Sequence, residues 1–338
     1  MAGGGVSGLD EARLEAWLRA ALPGHAPGFT LAPVAGGQSN PTYFLTLGGE
    51  RLVLRKQPEG ALLPSAHAID REYRVISALA GTDVPVPCPV LYCEDRGVIG
   101  TPFYLMRRVD GRVFATADLP GVAPEDRRAM YRALAQALGR LHRVDPKALG
   151  LGDYGRQGGY FARQIARWTR QWEATKQAEN PDVDWLIATL PGAIGEDAAT
   201  AISHGDYRVG NVMFVPDGPG VAAVLDWELS TLGHPLADLA HLCMAWHSAP
   251  EEYGGIAGLH RAALGLPEQA EVEAWYGAAA GHGLRLEPVH MAFALFRFAV
   301  VFEGIAARAK AGNAAGANAA DVAHLSAVFA RHARRAMD

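Results

Sequence analysis

In the first third of the chain apolar positions fall in short runs, often every second residue, and beyond it they recur at helical spacing. Phe29–Val34, Thr42–Leu47 and Arg51–Arg55 read as strands, separated by Gly36-Gly37 and Gly48-Gly49, and the second glycine pair predicts a hairpin turn. Ahead of them, Leu9, Leu14, Trp17, Leu18 and Leu22 track one side of a helix over 9–22. A helix over roughly 67–80, a proline-rich connector from Val84 to Pro89 and strands near 90–93 and 102–106 follow. From Pro124 the period lengthens, with Met130, Leu134, Leu138 and Leu141 on one helix and a second helix over roughly 158–173. A small hairpin over 212–225 interrupts, the remainder reads as helical, and Ala/Gly/Asn-rich 311–319 reads as a loop. The expectation is an α+β protein in two parts. An antiparallel-sheet lobe spans 1–106 with its leader helix, and a mainly helical lobe spans 107–338, joined near Met106–Gly111.

At 338 residues the chain is long enough for two such cores. A net charge of −5, without blocks of like charge, argues against a nucleic-acid or membrane-surface partner. Cys88, Cys93 and Cys243 form no paired metal spacing, and their odd number suits a reducing, cytoplasmic setting. The opening residues show no basic region followed by an apolar run, so no signal peptide is expected. The apolar stretch Val289–Val301 is interrupted by His290 and Arg297 and reads as a buried helix, not a membrane span. GGGVSG at 3–8 fits G-x-G-x-x-G formally, but no strand precedes it, and it reads as a flexible leader.

The chemistry concentrates in His204-Gly205-Asp206-Tyr207-Arg208-Val209-Gly210-Asn211 and in Asp226, fifteen residues further on. Val212–Val215 and Val221–Leu225 flank dense turn chemistry at 216–220, so Asn211 falls at the start of a hairpin and Asp226 at its end. That holds an amide oxygen and a carboxylate side by side, as a hard cation such as Mg²⁺ requires. Asp206 lies in the preceding loop and can face the same point off the metal, where a general base belongs. A plain turn with an Asx cap would explain the loop alone, but not Asp226 at that offset.

In the helix over 67–80, Glu72 falls inside an apolar face formed by Ile69, Tyr73, Ile76 and Leu79. A carboxylate there needs a cation. Alternation in the preceding strand puts Leu52 and Leu54 on one face and Arg51, Val53 and Arg55 on the other, so Arg55 is its natural partner and could reach nucleotide phosphates. Lys56 is the competing candidate, although alternation points it away. A surface ion pair is the plainer alternative.

These residues resemble the kinase catalytic loop, with Asn five beyond Asp, and its metal-binding Asp. The form HGDYRVGN with DWE is similar to the aminoglycoside phosphotransferase-like family, a small-molecule branch of the protein-kinase-like fold. GGQSNPTY, VLRK, AIDREYRVISAL and GDYGRQGGYFARQIARWTRQW are similar to the kinase-like domains fused to some acyl-CoA dehydrogenases and to their free-standing bacterial relatives. The resemblance implies a two-lobed kinase-like fold binding ATP or GTP with Mg²⁺. It implies Asp206 as base, Asn211 and Asp226 as metal ligands, His204 as a prop of the loop and Arg208 as a phosphate contact. It also matches Arg55 and Glu72 to the kinase Lys–Glu pair, with Arg in place of Lys. Gly37, Gln38, Ser39 and Asn40 lie where kinases cover the phosphates, and Met106 and Val109 where the hinge meets the base. No G-x-x-x-x-G-K-S/T occurs, which excludes the other large phosphate-binding class.

A protein kinase is disfavoured because eleven residues separate Asp226 from Asp238 and no A-P-E follows. A non-catalytic nucleotide-binding module would have no need of Asp206, Asn211 and Asp226 together. Asp238 is expected to cap or anchor its helix, and His234, His241 and His247 lack the carboxylate partners of a zinc site. Phe161, Ile165, Trp168 and Trp172 form an apolar stripe, with Arg163, Arg167 and Arg170 on another. Residues 229–338 carry ten Asp/Glu against eight Lys/Arg, no acidic excess for a polycationic antibiotic. The arginines favour an anionic acceptor such as a hydroxyacyl group on coenzyme A, although they equally serve to solvate an amphipathic helix.

Overall fold

The computed structural model describes residues 9–34, 40–60, 68–195, 199–310 and 322–338. Gly37, Gln38 and Ser39, the 3–8 leader and the 311–319 loop lie outside the described residues. The chain forms two compact units, one of Met1–Asp110 with Leu225–Glu228, the other of Gly111–Val224 with Leu229–Asp338.

In the first unit, α1 (Glu11–Ala21), capped by the Asp10 carboxylate, precedes β1 (Phe29–Pro33), β2 (Thr42–Leu47) and β3 (Glu50–Lys56). Then come α2 (Ile69–Leu79), β4 (Pro89–Cys93), α3 (Arg96–Ile99) and β5 (Phe103–Arg107). The five strands make one antiparallel sheet in the order β1-β2-β3-β5-β4. Leu47 pairs with Glu50 across Gly48 and Gly49, whose φ of 57° and 89° build a turn only glycine enters freely. Leu45, Leu47, Leu52, Leu54, Phe103 and Leu105 form the core with Leu14 and Leu18 of α1. Each such buried side chain is worth roughly 1.5–3 kcal/mol of transfer free energy.

The second unit opens on α4 (Pro124–Arg143), α5 (Tyr160–Thr175) and α6 (Pro181–Ala193). Three-residue strands β6 (Ala201–Ser203) and β9 (Thr231–Gly233) pair with each other, and between them lies the hairpin of β7 (Val212–Phe214) with β8 (Val221–Val224). The helices α7 (Pro235–Cys243), α8 (Pro250–Tyr253), α9 (Gln269–Ala280), α10 (Pro288–Lys310) and α11 (Leu325–Arg335) complete it. The apolar stripe of α5 is buried at Phe161, Ile165, Trp168 and Trp172. α10 is long and apolar enough to cross a membrane, and most of it is buried in this unit.

Candidate active site

Strand β6 leads into the His204–Asn211 loop, and β9 pairs with it. Gly205 has φ of 84°, and a Cβ there would come within 2.6 Å of the Leu229 carbonyl oxygen, so both backbone angle and space demand glycine between His204 and Asp206. His204 is fully buried, and its Nδ1 accepts the Asp206 N–H at 3.2 Å, which turns the loop under the aspartate.

Asp238 lies in the first turn of α7, whose cap is His234. Its Oδ1 accepts the Gly205 N–H (2.9 Å) and the Ser203 hydroxyl (3.0 Å), and its Oδ2 accepts the His204 N–H (2.7 Å) and lies 3.2 Å from His142 Nε2. Of the two expected roles, cap or anchor, the structure shows the anchor: the carboxylate ties α7 to the Ser203–Gly205 segment. Burial works against its charge, but His142, His204 and the Gly205 N–H outweigh burial and hold the carboxyl at about 2. The folded value lies below the ordinary 3.8, so the stabilisation is present above about pH 4 and is lost as pH falls toward 2. Asp238→Asn should therefore unfold more easily in urea at pH 7, by about 2 kcal/mol or more, with the deficit shrinking by about 1 kcal/mol at pH 3. A deficit constant from pH 7 to 3 contradicts this account.

Asp206 is held from several sides. Asn211 Nδ2 donates to its Oδ2 at 2.6 Å and to its backbone oxygen at 2.9 Å, and Arg208 Nε lies 3.7 Å from Oδ2. His241 Nε2 lies 2.9 Å from Oδ1. Burial opposes ionisation, yet His241, Arg208 and His204 hold the carboxyl well below the usual range, so it is a carboxylate at neutral pH. His241, expected only to lack the carboxylate partners of a zinc site, has a carboxylate neighbour, Asp206, that the sequence did not reveal. The available signal was its place three residues after Asp238, which puts both on one face of α7.

Asn211 directly precedes β7, and Val212 pairs with Val224, two residues before Asp226. The amide nitrogen of Asn211 is committed to Asp206, which leaves the amide oxygen as the atom suited to a cation. Asp226 itself takes φ of 63°, a left-handed conformation that short polar side chains tolerate best.

In the first unit, Arg55 on β3 gathers three carboxylates: Nε lies 3.0 Å from Glu72, one terminal nitrogen donates to Asp226 at 2.8 Å and sits 3.9 Å from Glu228. Burial pushes Glu72 up, to about 7, against the opposing pull of Arg55. Burial also disfavours the guanidinium charge, which Glu72 and Asp226 more than restore. Lys56 points to the other face, buried, with its ammonium 2.9 Å from Glu59. Burial pushes Glu72 toward its neutral form, and Asp226 is the most exposed of the three carboxyl groups, so its oxygens are the ones suited to a divalent cation. Among the described residues no group of three or more His, Cys, Asp or Glu forms a metal cage. Glu228 is the last residue of the DWE run that begins at Asp226. Asn40 is buried two residues before β2, Met106 on β5 pairs with Val53 on β3, and Val109 is half-buried beyond β5.

Comparison with known proteins identifies the family. The model of the phosphotransferase enzyme family known as APH matches residues 30–276. The chain belongs to that family. This phosphotransferase-family chain is 41% identical over 315 residues to mouse acyl-CoA dehydrogenase family member 10, covering 90% of the chain and 29% of that protein. It is 39% identical over 316 residues to human acyl-CoA dehydrogenase family member 11, covering 90% of the chain and 40% of that protein. The chain thus spans well under half the length of these relatives. A candidate aminoglycoside phosphotransferase from Ralstonia eutropha superposes with a TM-score of 0.89 at 42% identity, over 97% of this chain and 98% of that one. Aminoglycoside phosphotransferase APH(4)-Ia, solved with AMP-PNP and hygromycin B, shares the fold (TM-score 0.62) at 15% identity, over 96% and 98%. The α+β, kinase-like fold is therefore that of small-molecule phosphotransferases.

Proposed function

We propose that the chain transfers the γ-phosphoryl group of ATP or GTP to a hydroxyl of a small anionic metabolite, a hydroxyacyl thioester of coenzyme A being the acceptor that suits it best. Asp206 accepts the hydroxyl proton as the acceptor oxygen bonds to the γ-phosphorus and the bond to the leaving nucleoside diphosphate breaks. Asn211 and Asp226 are the residues that would hold Mg²⁺, which supplies charge neutralisation on the phosphates. Arg55 and Arg208 add positive charge there, and the loop at Gly37–Asn40 and the Met106–Val109 segment are assigned to the phosphates and the base.

The observation that carries the acceptor class is a small cavity in the second unit, lined in part by residues that contact Asp206. Arg208 and His241 line it together with Tyr131, Met244, Tyr253 and Phe329, and no carboxylate stands among its described lining residues. An apolar, aromatic recess with one guanidinium suits an alcohol on an apolar, anionic molecule. A polycationic aminoglycoside needs carboxylates there. The α5 arginines contribute less than their spacing suggested, since Arg163 donates to the carbonyls of Arg156 and Gly158, and Arg167 lies over Trp168. Purified protein with labelled ATP and Mg²⁺ should phosphorylate hydroxyacyl-CoA thioesters at least about 10-fold faster, by kcat/KM, than kanamycin-type aminoglycosides. Faster transfer to the aminoglycosides overturns the acceptor class. Tight nucleotide binding with transfer to nothing favours a non-catalytic module.

A further inference from the structure

His241 is a buried polar side chain that the phosphotransfer chemistry proposed above does not use. It is 3% exposed, and its ring is clamped edge-on against Phe298 of α10 at 5.1 Å between centroids. Its Nε2 reaches the one oxygen of Asp206 that Asn211 does not hold.

We infer that His241 is the positioning residue of the base, fixing Asp206 Oδ1 so that the carboxylate meets the acceptor hydroxyl in a single orientation; this rests on the proposed role of Asp206. A carboxylate turns about a broad, two-fold torsion, so one donor restrains one oxygen and leaves the other free to swing. Asn211 on Oδ2 and His241 on Oδ1 together remove that freedom, and they come from different segments. The second holder stands on a rigid reference. Asp238, one helical turn earlier on α7, grips the His204 and Gly205 N–H groups, so one helix face positions both the loop backbone and the carboxylate it carries. The ring N–H is not aimed squarely at Oδ1, so what the structure gives is a close 2.9 Å contact and not a well-aligned hydrogen bond. Burial keeps the imidazole below its usual range, against the pull of Asp206. A neutral ring orients the carboxylate by its N–H without adding a second full charge beside it, so Asp206 retains the negative charge that receives the proton. The same ring lines the cavity beyond Arg208, where an acceptor would press upon it.

The test compares His241→Leu, which removes the donor at similar volume, with His241→Gln, whose amide nitrogen falls near Nε2. Leu should lower kcat by about 10–100-fold, with nucleotide KM within about 3-fold of wild type, and Gln should recover most of the loss. Wild-type kcat in the Leu variant overturns the inference, as does a loss shared between kcat and nucleotide KM that Gln does not relieve. A second measurement is independent of turnover. In the full chain labelled with ¹⁵N-histidine, the Nε2–H signal of His241, identified by its absence in His241→Gln, should be hydrogen-bonded and should shift upfield in Asp206→Ala. No shift defeats the inference whether or not the protein turns over. A wild-type chain that phosphorylates no acceptor, yet shows the shift, defeats the phosphotransfer reading and leaves the contact standing.

Discussion

Asp206→Asn should bind nucleotide within about 2-fold of wild type and lose about 10²–10⁴-fold in kcat, the usual contribution of a general base. The substitution keeps shape and an oxygen for His241, so the loop should hold, and thermal unfolding within a few degrees of wild type would show that it does. What disappears is the negative charge. In the native site that charge is supported by Asn211 at 2.6 Å and His241 at 2.9 Å, and it is held ionised against burial. A carboxylate so stabilised is a weak base. It suits a reaction in which the hydroxyl is first oriented and gives up its proton late, as bonding to phosphorus develops. Since the group stays ionised throughout the neutral and mildly acid range, kcat should show no acid limb from Asp206 above about pH 5. Near-normal turnover in Asp206→Asn would remove the base assignment.

Asp226→Ala should abolish the Mg²⁺ dependence of nucleotide binding and weaken affinity in Mg²⁺ by at least about 10-fold, about 1.4 kcal/mol. Asn211→Ala should do the same less strongly, because a neutral amide gives a cation less than a carboxylate does. Calorimetric titration of nucleotide with Mg²⁺ and with EDTA reads this directly. The variant also strips Arg55 of its 2.8 Å partner, leaving the guanidinium with Glu72 and the more distant Glu228. Binding without metal should therefore be unchanged or slightly stronger in Asp226→Ala, since Arg55 becomes free to meet phosphate oxygens. Magnesium-dependent binding equal to wild type in this variant would place the cation elsewhere.

The sequence by itself determined what depends on neighbours a few residues apart. The 47–50 turn was legible because two adjacent glycines can both take positive φ, and the α2 and α5 faces because apolar side chains repeat with the turn of a helix. The Asp206–Asn211 loop and the β7–β8 hairpin were legible because turn residues and short apolar runs stand in sequence order. Even the need of Glu72 for a cation was legible, since a carboxylate on an apolar face cannot stay alone. Tertiary structure decided the rest. The β6–β9 pair was not foreseen because three-residue strands are too short to show alternation. α6, with Pro191 inside it, has a weakly one-sided pattern and escaped notice for the same kind of reason. Asp238 reaching back to His204 and Gly205, His241 reaching Asp206, and Asp226 joining Glu72 on Arg55 are contacts across 33 to 171 positions. Periodicity carries no information about which distant segments meet. That choice is made by burial of whole faces against one another, and only afterwards do the polar groups carried on those faces find their partners.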